Sequence, residues 1–584
     1  MKFKYIKSKQ AVLITGFRRL MIVFFLCVPI YIYFSIARFD PDPHHDGIQL
    51  APAIGILNGK QLHGELFEQY GPVWVWIKSV FLYYFGAKLE VLRLLAAFIA
   101  VLTTFMIFFA CSKITKMKIV GLMMSAAYLF TNPSFNTING MELPLWLWPS
   151  LFINLIFLIM VSILISDIST RSKRFEKVAA IFLGFLLTIV LFTRFQIGVL
   201  AIIGISYFLI SRRKYSLEFL GFYFSSLLTF SGGVVVYLIV TNSFNYFILQ
   251  IIIGPATNLI VMLKLYIDVP DLFVNFGIGV LPALFVFYAN FYLFNRSKIV
   301  KKLTLLLSGI FIFVLIIWGK FTGLSPLNNI SLVQEVLDMQ SHLILYASFS
   351  FALFVLFFHR LLLRNKKVIH NMESTGFEFD NPEESLRVLM FFSSLALVQL
   401  YPRPDVYHLW WASPILLIAF PYFLMMIGFR REILVTSLLT LVIPITLVGM
   451  YSFVEQIQIP RTVWISGILE GMLVQDSRLK DFYIADNIFS ENKHALGIYN
   501  CNDALFPVWN GKYQASDGKY VSWAWGTANN DQISSGMPVY LCSNDPVYPR
   551  EWAETNNLGA PIKVTPQLNL SEWSTPTLYY FRRE

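Results

Sequence analysis

Long apolar runs recur along most of the chain, separated by short polar breaks, and only the last part loses this pattern. Thirteen runs are read, near 12–37, 90–112, 118–131, 145–167, 178–193, 196–210, 217–240, 272–295, 303–319, 342–363, 387–400, 409–428 and 433–453. About 20 apolar residues cross a bilayer's hydrocarbon core, and backbone groups in lipid must be satisfied within their own segment. Each run therefore predicts a transmembrane helix. The first, Val12 to Ala37, is longer than the apolar part of a secretory signal, and no small-x-small cleavage pattern precedes Arg38, so it reads as a span. From Val454 the chain turns polar and rich in Asn, Asp, Gly and Pro, with strand-like segments "ALGIYNC", "MPVYLC" and "TLYYFRR". The predicted fold class is mostly α. It is a polytopic membrane protein with about 13 transmembrane helices over residues 1–453, plus a small extracytoplasmic C-terminal α/β or β-rich domain over residues 454–584.

Composition supports this reading. At 56% hydrophobic and 16% aromatic, a chain of 584 residues is too apolar for a soluble protein. The net charge of +11 invites a nucleic-acid partner, but the basic residues fall in short clusters between apolar runs: "KFKYIKSK", "KITKMK", "RSKRFEK", "SRRK", "RSKIVKK", "RNKK" and "FRRE". Such clusters mark cytoplasmic loops, so the charge is topological and no nucleic-acid partner is predicted. The expected place is the plasma (inner) membrane, multi-pass, with a cytoplasmic N-terminus and the C-terminal domain in the periplasm. The long connections near 38–89, 241–271 and 320–341 then fall outside. The longest cytoplasmic loop, near 364–386, has no Gly-rich phosphate cradle, which places any chemistry on the outer face. Cys501 and Cys542 lie on that oxidising side, each ending a strand-like run, and are a disulfide candidate. Cys27 and Cys111 sit in or beside spans and read as buried thiols.

Two outer segments concentrate chemistry. The first is "RFDPDPHHDG", which places Asp40, Asp42, His44, His45 and Asp46 within ten residues directly after the first span. Prolines stiffen the loop, and a carboxylate held at the lip of an apolar pocket suits a general base; solvated loop carboxylates or helix caps are the plainer alternative. A divalent metal on His44 or His45 together with Asp46 is a further option, and no other cofactor is predicted. The turn "EQYGP" adds Gln69 and Tyr70 as supporting residues, and the following "VWVWIKSVFLYYFG" suits a helix lying at the membrane interface. The second segment is "YPRPDVYHLWW". There Arg403 is a candidate for a bound phosphate, because its planar fork matches phosphate oxygens, with His408 as a second donor and Asp405 as orienting partner. Arg194, between two spans at outer depth, and Lys264, in the 241–271 loop, are weaker phosphate-binding candidates.

With an acidic cluster after the first span, then "NGKQLHGELFEQYGP", then "YPRPDVYHLWWASP" before a late span, the chain resembles the GT-C superfamily of polytopic glycosyltransferases. It is most like the bacterial branch related to protein O-mannosyltransferases and the aminoarabinose transferase of lipid A. That resemblance implies a polyprenyl-phosphate sugar donor and an acidic catalytic residue in the first outer loop, where Asp46 is the positional match. The chain departs from the pattern in reading "HHDG" where many relatives carry an Asp-Glu pair, and in lacking a clear second acidic motif early in the 241–271 loop.

The predicted function is transfer of a sugar from a polyprenyl-phosphate donor to an extracytoplasmic lipid, glycan or protein acceptor, with inversion at the anomeric carbon. No nucleotide sugar is supplied outside the membrane, so the donor must cross with a lipid. A transporter or flippase of lipid-linked sugars is a second reading, although transporters place polar, broken segments at mid-bilayer and show repeats in hydropathy. A polymerase or ligase that moves a whole glycan is a third. The partners expected are the lipid-linked donor, the acceptor and membrane lipids.

Overall fold

Helix dominates the computed structural model, which describes residues 27–135, 145–166, 172–211, 215–256, 345, 347–348, 352, 382–399, 406–426, 429–491, 497–499, 505–509, 539–543, 561–570 and 576–581. In chain order these helices are α1 (Cys27–Ile36), α2 (His45–Leu57), α3 (Pro72–Phe85), α4 (Leu89–Thr115), α5 (Lys118–Phe130), α6 (Pro149–Leu164) and α7 (Lys173–Leu191). They continue as α8 (Phe195–Ser211), α9 (Leu217–Val240), α10 (Phe244–Ile248), α11 (Pro382–Val398), α12 (Val406–Met426) and α13 (Arg431–Gln458).

Among the described residues four helices are long and apolar enough to cross a membrane: α4, α9, α12 from Tyr407 and α13. Shorter apolar helices fill the expected runs near 118–131, 145–167 and 196–210, and α7 and α11 occupy those near 178–193 and 387–400. The expected spans near 272–295 and 303–319, and all but isolated residues of that near 342–363, lie outside the described residues.

The core forms where α12 is enclosed by α4, α5, α6 and α11. Its position is set by polar hooks as well as by apolar packing. Pro414 lacks the N–H that would satisfy the Trp410 carbonyl one turn earlier, and the Ser413 hydroxyl donates to that oxygen instead, at 2.8 Å. The Trp410 indole stacks on Tyr128 and donates its N–H to the Tyr128 carbonyl at 2.9 Å. Asn154 of α6 donates to the Trp411 carbonyl at 2.6 Å and to Gln399 at 3.1 Å. These bonds fix where the N-terminal turn of α12 lies relative to α6.

Beyond α13 the described tail comprises a hairpin of β1 (Arg461–Val463) with β2 (Leu473–Gln475), then α14 (Asp476–Glu491), a short helix α15 (Leu505–Trp509), and a mixed sheet. The sheet contains β3 (Gly497–Tyr499), β4 (Val539–Ser543), β5 (Ile562–Lys563) and β6 (Thr577–Phe581) in the order β3-β4-β6-β5, parallel only between β3 and β4. Cys501 lies outside the described residues, and Cys542 sits in β4 opposite Leu578.

The tail is fastened to the loop that follows α1. Around the Phe39–Leu473 bridge the Leu473 N–H donates to the Arg38 carbonyl and the Asp40 N–H to the Leu473 carbonyl, the Leu505 N–H donates to the Pro43 carbonyl, and the Asp40 carboxylate accepts from the Gln475 N–H at 2.9 Å and from Arg461 at 3.2 Å. Asp40 adopts a positive φ of 39°, which a short carboxylate that bonds the neighbouring chain tolerates better than most residues.

Candidate functional site

Three segments far apart in sequence meet: the first loop with α2, the stretch Leu145–Trp148 before α6, and the first turns of α12. Their common element is a wall of aromatic rings. His45 stacks on Trp146 with centroids 3.9 Å apart, Trp146 stacks on Tyr407 at 4.5 Å, and Trp148 lies parallel to Trp411 at 5.4 Å. Tyr70 meets the edge of Trp148 at 5.7 Å, and His408 meets Trp411 at 5.1 Å. Trp146 and Trp411 are buried, whereas His45, Tyr70, Trp148, Tyr407 and His408 are half-buried, so the wall has one open side. Broad aromatic faces with a few polar groups beside them suit a ligand that is apolar on its faces and hydroxylated at its edges.

Behind the wall the loop's carboxylates are engaged. Asp46 is 3% exposed and held by the Arg93 guanidinium of α4, which donates from Nε to Oδ1 at 2.7 Å and from Nη2 to Oδ2. Arg93 also donates to the carbonyls of Leu145 and Asp40, so one cation ties together the first loop and the segment before α6. Burial lifts the Asp46 carboxyl above its ordinary range and Arg93 opposes that rise. The Asp42 N–H donates to Asp46 Oδ2 at 2.8 Å. Asp42, fully buried, accepts from the His44 N–H at 3.0 Å and lies 2.7 Å from His45 Nδ1. Burial works to raise its carboxyl, but the His45, His44 and Arg93 charges outweigh that and hold it at about 2.

The "EQYGP" turn is pinned from the other side. Gly71 donates to the Thr193 carbonyl and Val73 to that of Phe192, and a Cβ at position 71 would lie 2.0 Å from the Phe192 oxygen. Glycine is needed here for close approach, not for φ, which is −72°. This contact sets Tyr70 beside Arg194, whose Nη1 donates to Ser150 two residues after Trp148, at 2.7 Å. Gln69 is half-buried in the same turn.

Glu68, in the same turn, is 1% exposed; Oε1 accepts from the Tyr70 N–H, while Oε2 has no partner among the described residues. Burial pushes this carboxyl up to about 7 against the pull of the Lys78 ammonium and of neighbouring backbone N–H groups. Lys78 itself is buried in α3, donating to Gln49 at 3.0 Å, and burial brings it down to about 8. The loop is further held by Gln250, presented from the π-turn Leu249–Ile253, which pairs with both the ring and the carbonyl of His63.

The sequence candidates thus divide. Asp40, Asp42, His44, His45, Asp46, Gln69, Tyr70, Arg194 and His408 lie in or around this one site, while Arg403, Asp405 and Lys264 fall outside the described residues. Asp46 is bound to Arg93 and His45 to Asp42, and among the described residues no three His, Cys, Asp or Glu side chains gather to hold an ion. Arg93, Glu68, Lys78, Trp146 and Trp148 were not singled out from sequence. The usable signal was a lone arginine near the start of an apolar run, a charge that needs a partner.

No protein-family model and no curated protein matches the chain. Among solved structures it is similar to ArnT from Cupriavidus metallidurans bound to undecaprenyl phosphate, at 13% identity over 96% of this chain and 98% of that one, with a TM-score of 0.48. The same protein in the apo state gives 12% identity, the same coverage and a TM-score of 0.48. The chain is also similar to an Archaeoglobus fulgidus oligosaccharyltransferase in complex with Zn and sulfate, at 10% identity over 96% of this chain and 73% of that one, with a TM-score of 0.40.

Proposed function

We propose that this protein is a membrane glycosyltransferase that moves a sugar from a polyprenyl-phosphate donor to a hydroxyl acceptor at the outer face of the membrane. The observation that carries the reading is the shared aromatic wall. His45 and Tyr70 of the first loop and His408 of α12 border the same Trp146, Trp148 and Trp411 rings, with acid–base groups on one side and the Arg194 cation on the other. A sugar ring stacks on indole faces, and a phosphate leaving group needs fixed positive charge and N–H donors more than it needs a proton.

In this reading Arg194 and His408, joined by Arg403 from the segment before α12 and Lys264 from the segment between α10 and α11, bind the donor phosphate. A group in the first loop takes the acceptor's proton. The acceptor oxygen attacks the anomeric carbon on the face opposite the departing phosphate, which inverts that centre. Asp46 was the positional choice for the base; its pairing with Arg93 supports a role in holding the loop instead. The acceptor would be an envelope lipid, glycan or protein. The sidedness proposed is a cytoplasmic N-terminus with the tail outside.

The test is to supply membranes containing the protein with a panel of radiolabelled polyprenyl-phosphate sugars. Consumption of one of them, with label appearing in an envelope component and free polyprenyl phosphate released, is the expected result. Lipid-linked sugar that crosses the bilayer unchanged would replace the reading with transport.

A further inference from the structure

We propose that the β1–β2 hairpin of the tail is a membrane-surface anchor, with Val463 and Ile465 seated in the bilayer interface beside the ends of α1, α4 and α13. This holds whether or not the sugar-transfer reading does. The hairpin leaves one apolar face open. Trp464 exchanges backbone hydrogen bonds with the opposite side of the hairpin: its N–H donates to the Met472 carbonyl at 2.8 Å, and its carbonyl accepts from the Gly471 N–H at 2.9 Å. The Trp464 side chain is 4% exposed and packs on Tyr483 of α14. Side chains alternate along a strand, so Val463 and Ile465 fall on the face opposite Trp464. They are 46% and 83% exposed, an apolar pair with no cover from the protein itself.

The anchoring of the hairpin shows what covers that face. β2 is bonded to the residues directly after α1, with the Leu473 N–H donating to the Arg38 carbonyl and the Leu473 carbonyl accepting from the Asp40 N–H. The connection before β2 is tied to the start of α4. Arg38 Nε donates to the Gly471 carbonyl at 2.9 Å and pairs with Glu90, and Lys88 pairs with Glu470 at 2.6 Å. β1 begins two residues after α13 ends, and Arg461 donates to the Gln456 carbonyl in the last turn of α13 at 2.6 Å. The hairpin therefore lies across the ends of three apolar helices, of which α4 and α13 are long and apolar enough to cross a membrane. Arg38, Lys88, Glu90 and Glu470 gather at this level, where charge is expected as helices leave the hydrocarbon.

Exposed apolar surface runs up to the hairpin from two sides. On α13, Ile443, Leu447, Met450, Val454 and Ile457 are exposed at steps of three and four residues, one stripe of the helix that reaches its last turn. On the far side of the Lys88–Glu470 bridge, α3 ends in Tyr83, Tyr84 and Phe85, which are 66–73% exposed, and tyrosine is enriched at membrane interfaces. A bilayer surface covers the stripe, the aromatic helix end and the hairpin together, and an apolar element too short to span lies in the interface plane. Because the same hairpin holds Asp40 through Arg461 and the Gln475 N–H, the anchor also fixes the loop after α1 against the membrane surface.

The experiment uses the full-length protein in lipid nanodiscs, its four cysteines replaced by serine, with one nitroxide label at a time on Ile465→Cys, Val454→Cys or Lys480→Cys. Val454 is the lipid-facing reference on α13, and Lys480 is an exposed charged position on α14. Power-saturation measurements should show oxygen accessibility above nickel-chelate accessibility at 465, as at 454, and the reverse at 480. Nickel-chelate accessibility at 465 equal to that at 480 overturns the anchor. If thermal unfolding shows that the cysteine-free protein is not folded, benzoylphenylalanine placed at position 465 of the otherwise unaltered protein in proteoliposomes decides the matter. Irradiation is expected to add the mass of one phospholipid. A cross-linked dimer in its place, which would assign the face to a second copy, or the lack of any lipid adduct, overturns the proposal.

Discussion

The two halves of the loop between α1 and α4 handle buried charge in opposite ways. In the first half, Asp40 and Asp46 are each matched by an arginine from another part of the chain, Arg461 from the tail and Arg93 from α4. In the second half, Glu68 and Lys78 are equally buried, yet among the described residues no direct ion pair joins them; there Glu68 keeps an oxygen without a partner, and Lys78 is bound to a neutral amide. A matched buried pair stabilises a geometry, because losing either partner strands a charge. An unmatched pair leaves both groups displaced from their ordinary protonation behaviour, which is the state in which a group responds to what binds beside it. The loop is thus rigid where it joins other elements and electrostatically unsettled where it turns toward α3.

The comparison is broken most severely at Arg93. Arg93→Met leaves Asp46 buried without its cation and is expected to cost about 3–5 kcal/mol, read as a large drop in thermal unfolding temperature. The double variant Arg93→Met with Asp46→Leu should recover most of that loss. Recovery that fails to appear would mean that the pair does more than neutralise itself.

Next in size is Gly71→Ala. The added carbon meets the Phe192 carbonyl, and with no room for backbone on either side the turn must move, at a cost of about 1–3 kcal/mol. Because Tyr70 moves with it, weaker binding of polyprenyl phosphate should accompany the destabilisation.

A smaller and sharper effect concerns Glu68. Its folded carboxyl titrates near 7, above the ordinary value of 4.5. Between those values the folded state holds a proton that the unfolded state has lost, so this group's contribution to stability falls as pH rises from about 4.5 through about 7. Glu68→Gln should flatten that part of the stability–pH curve, measured by unfolding at several pH values. An unchanged slope would show that Glu68 is ionised throughout. At the small end, Lys60→Ala removes the exposed pair with Glu65 and should change stability by less than about 1 kcal/mol.

Much of this arrangement was readable in the chain before any coordinates. The apolar runs gave the helices, because a long apolar segment in lipid has few other options, and the tight ten-residue cluster from Arg38 to Gly47 marked the loop that meets the site. The tail's expected strands appear in β3, β4 and β6, although α13 runs on to Gln458, past the point where composition changes. What escaped were the partners. Arg93 stands in "LEVLRLLAAF", inside one expected span, and Trp146 and Trp148 stand in "PLWLWPS", at the start of another. Nothing local to either segment states that Arg93 holds Asp46 or that Trp146 stacks on His45. Glu68 was visible only as part of a turn, and its backbone N–H is held by Gln250, presented from a π-turn far along the chain. Pairings of this kind are set by tertiary packing and leave little trace in periodicity.

The account's central claim is that the wall of Trp146, Trp148 and Trp411 is where a lipid-linked sugar sits. An electron cryo-microscopy reconstruction of the protein in nanodiscs with a non-hydrolysable polyprenyl-phosphonate sugar tests this most directly. The expected density is a sugar ring against those indoles, with the phosphonate toward Arg194 and the lipid chain leaving along the helices. Density for the same molecule elsewhere, with the tryptophan wall unoccupied at saturating ligand, would contradict it.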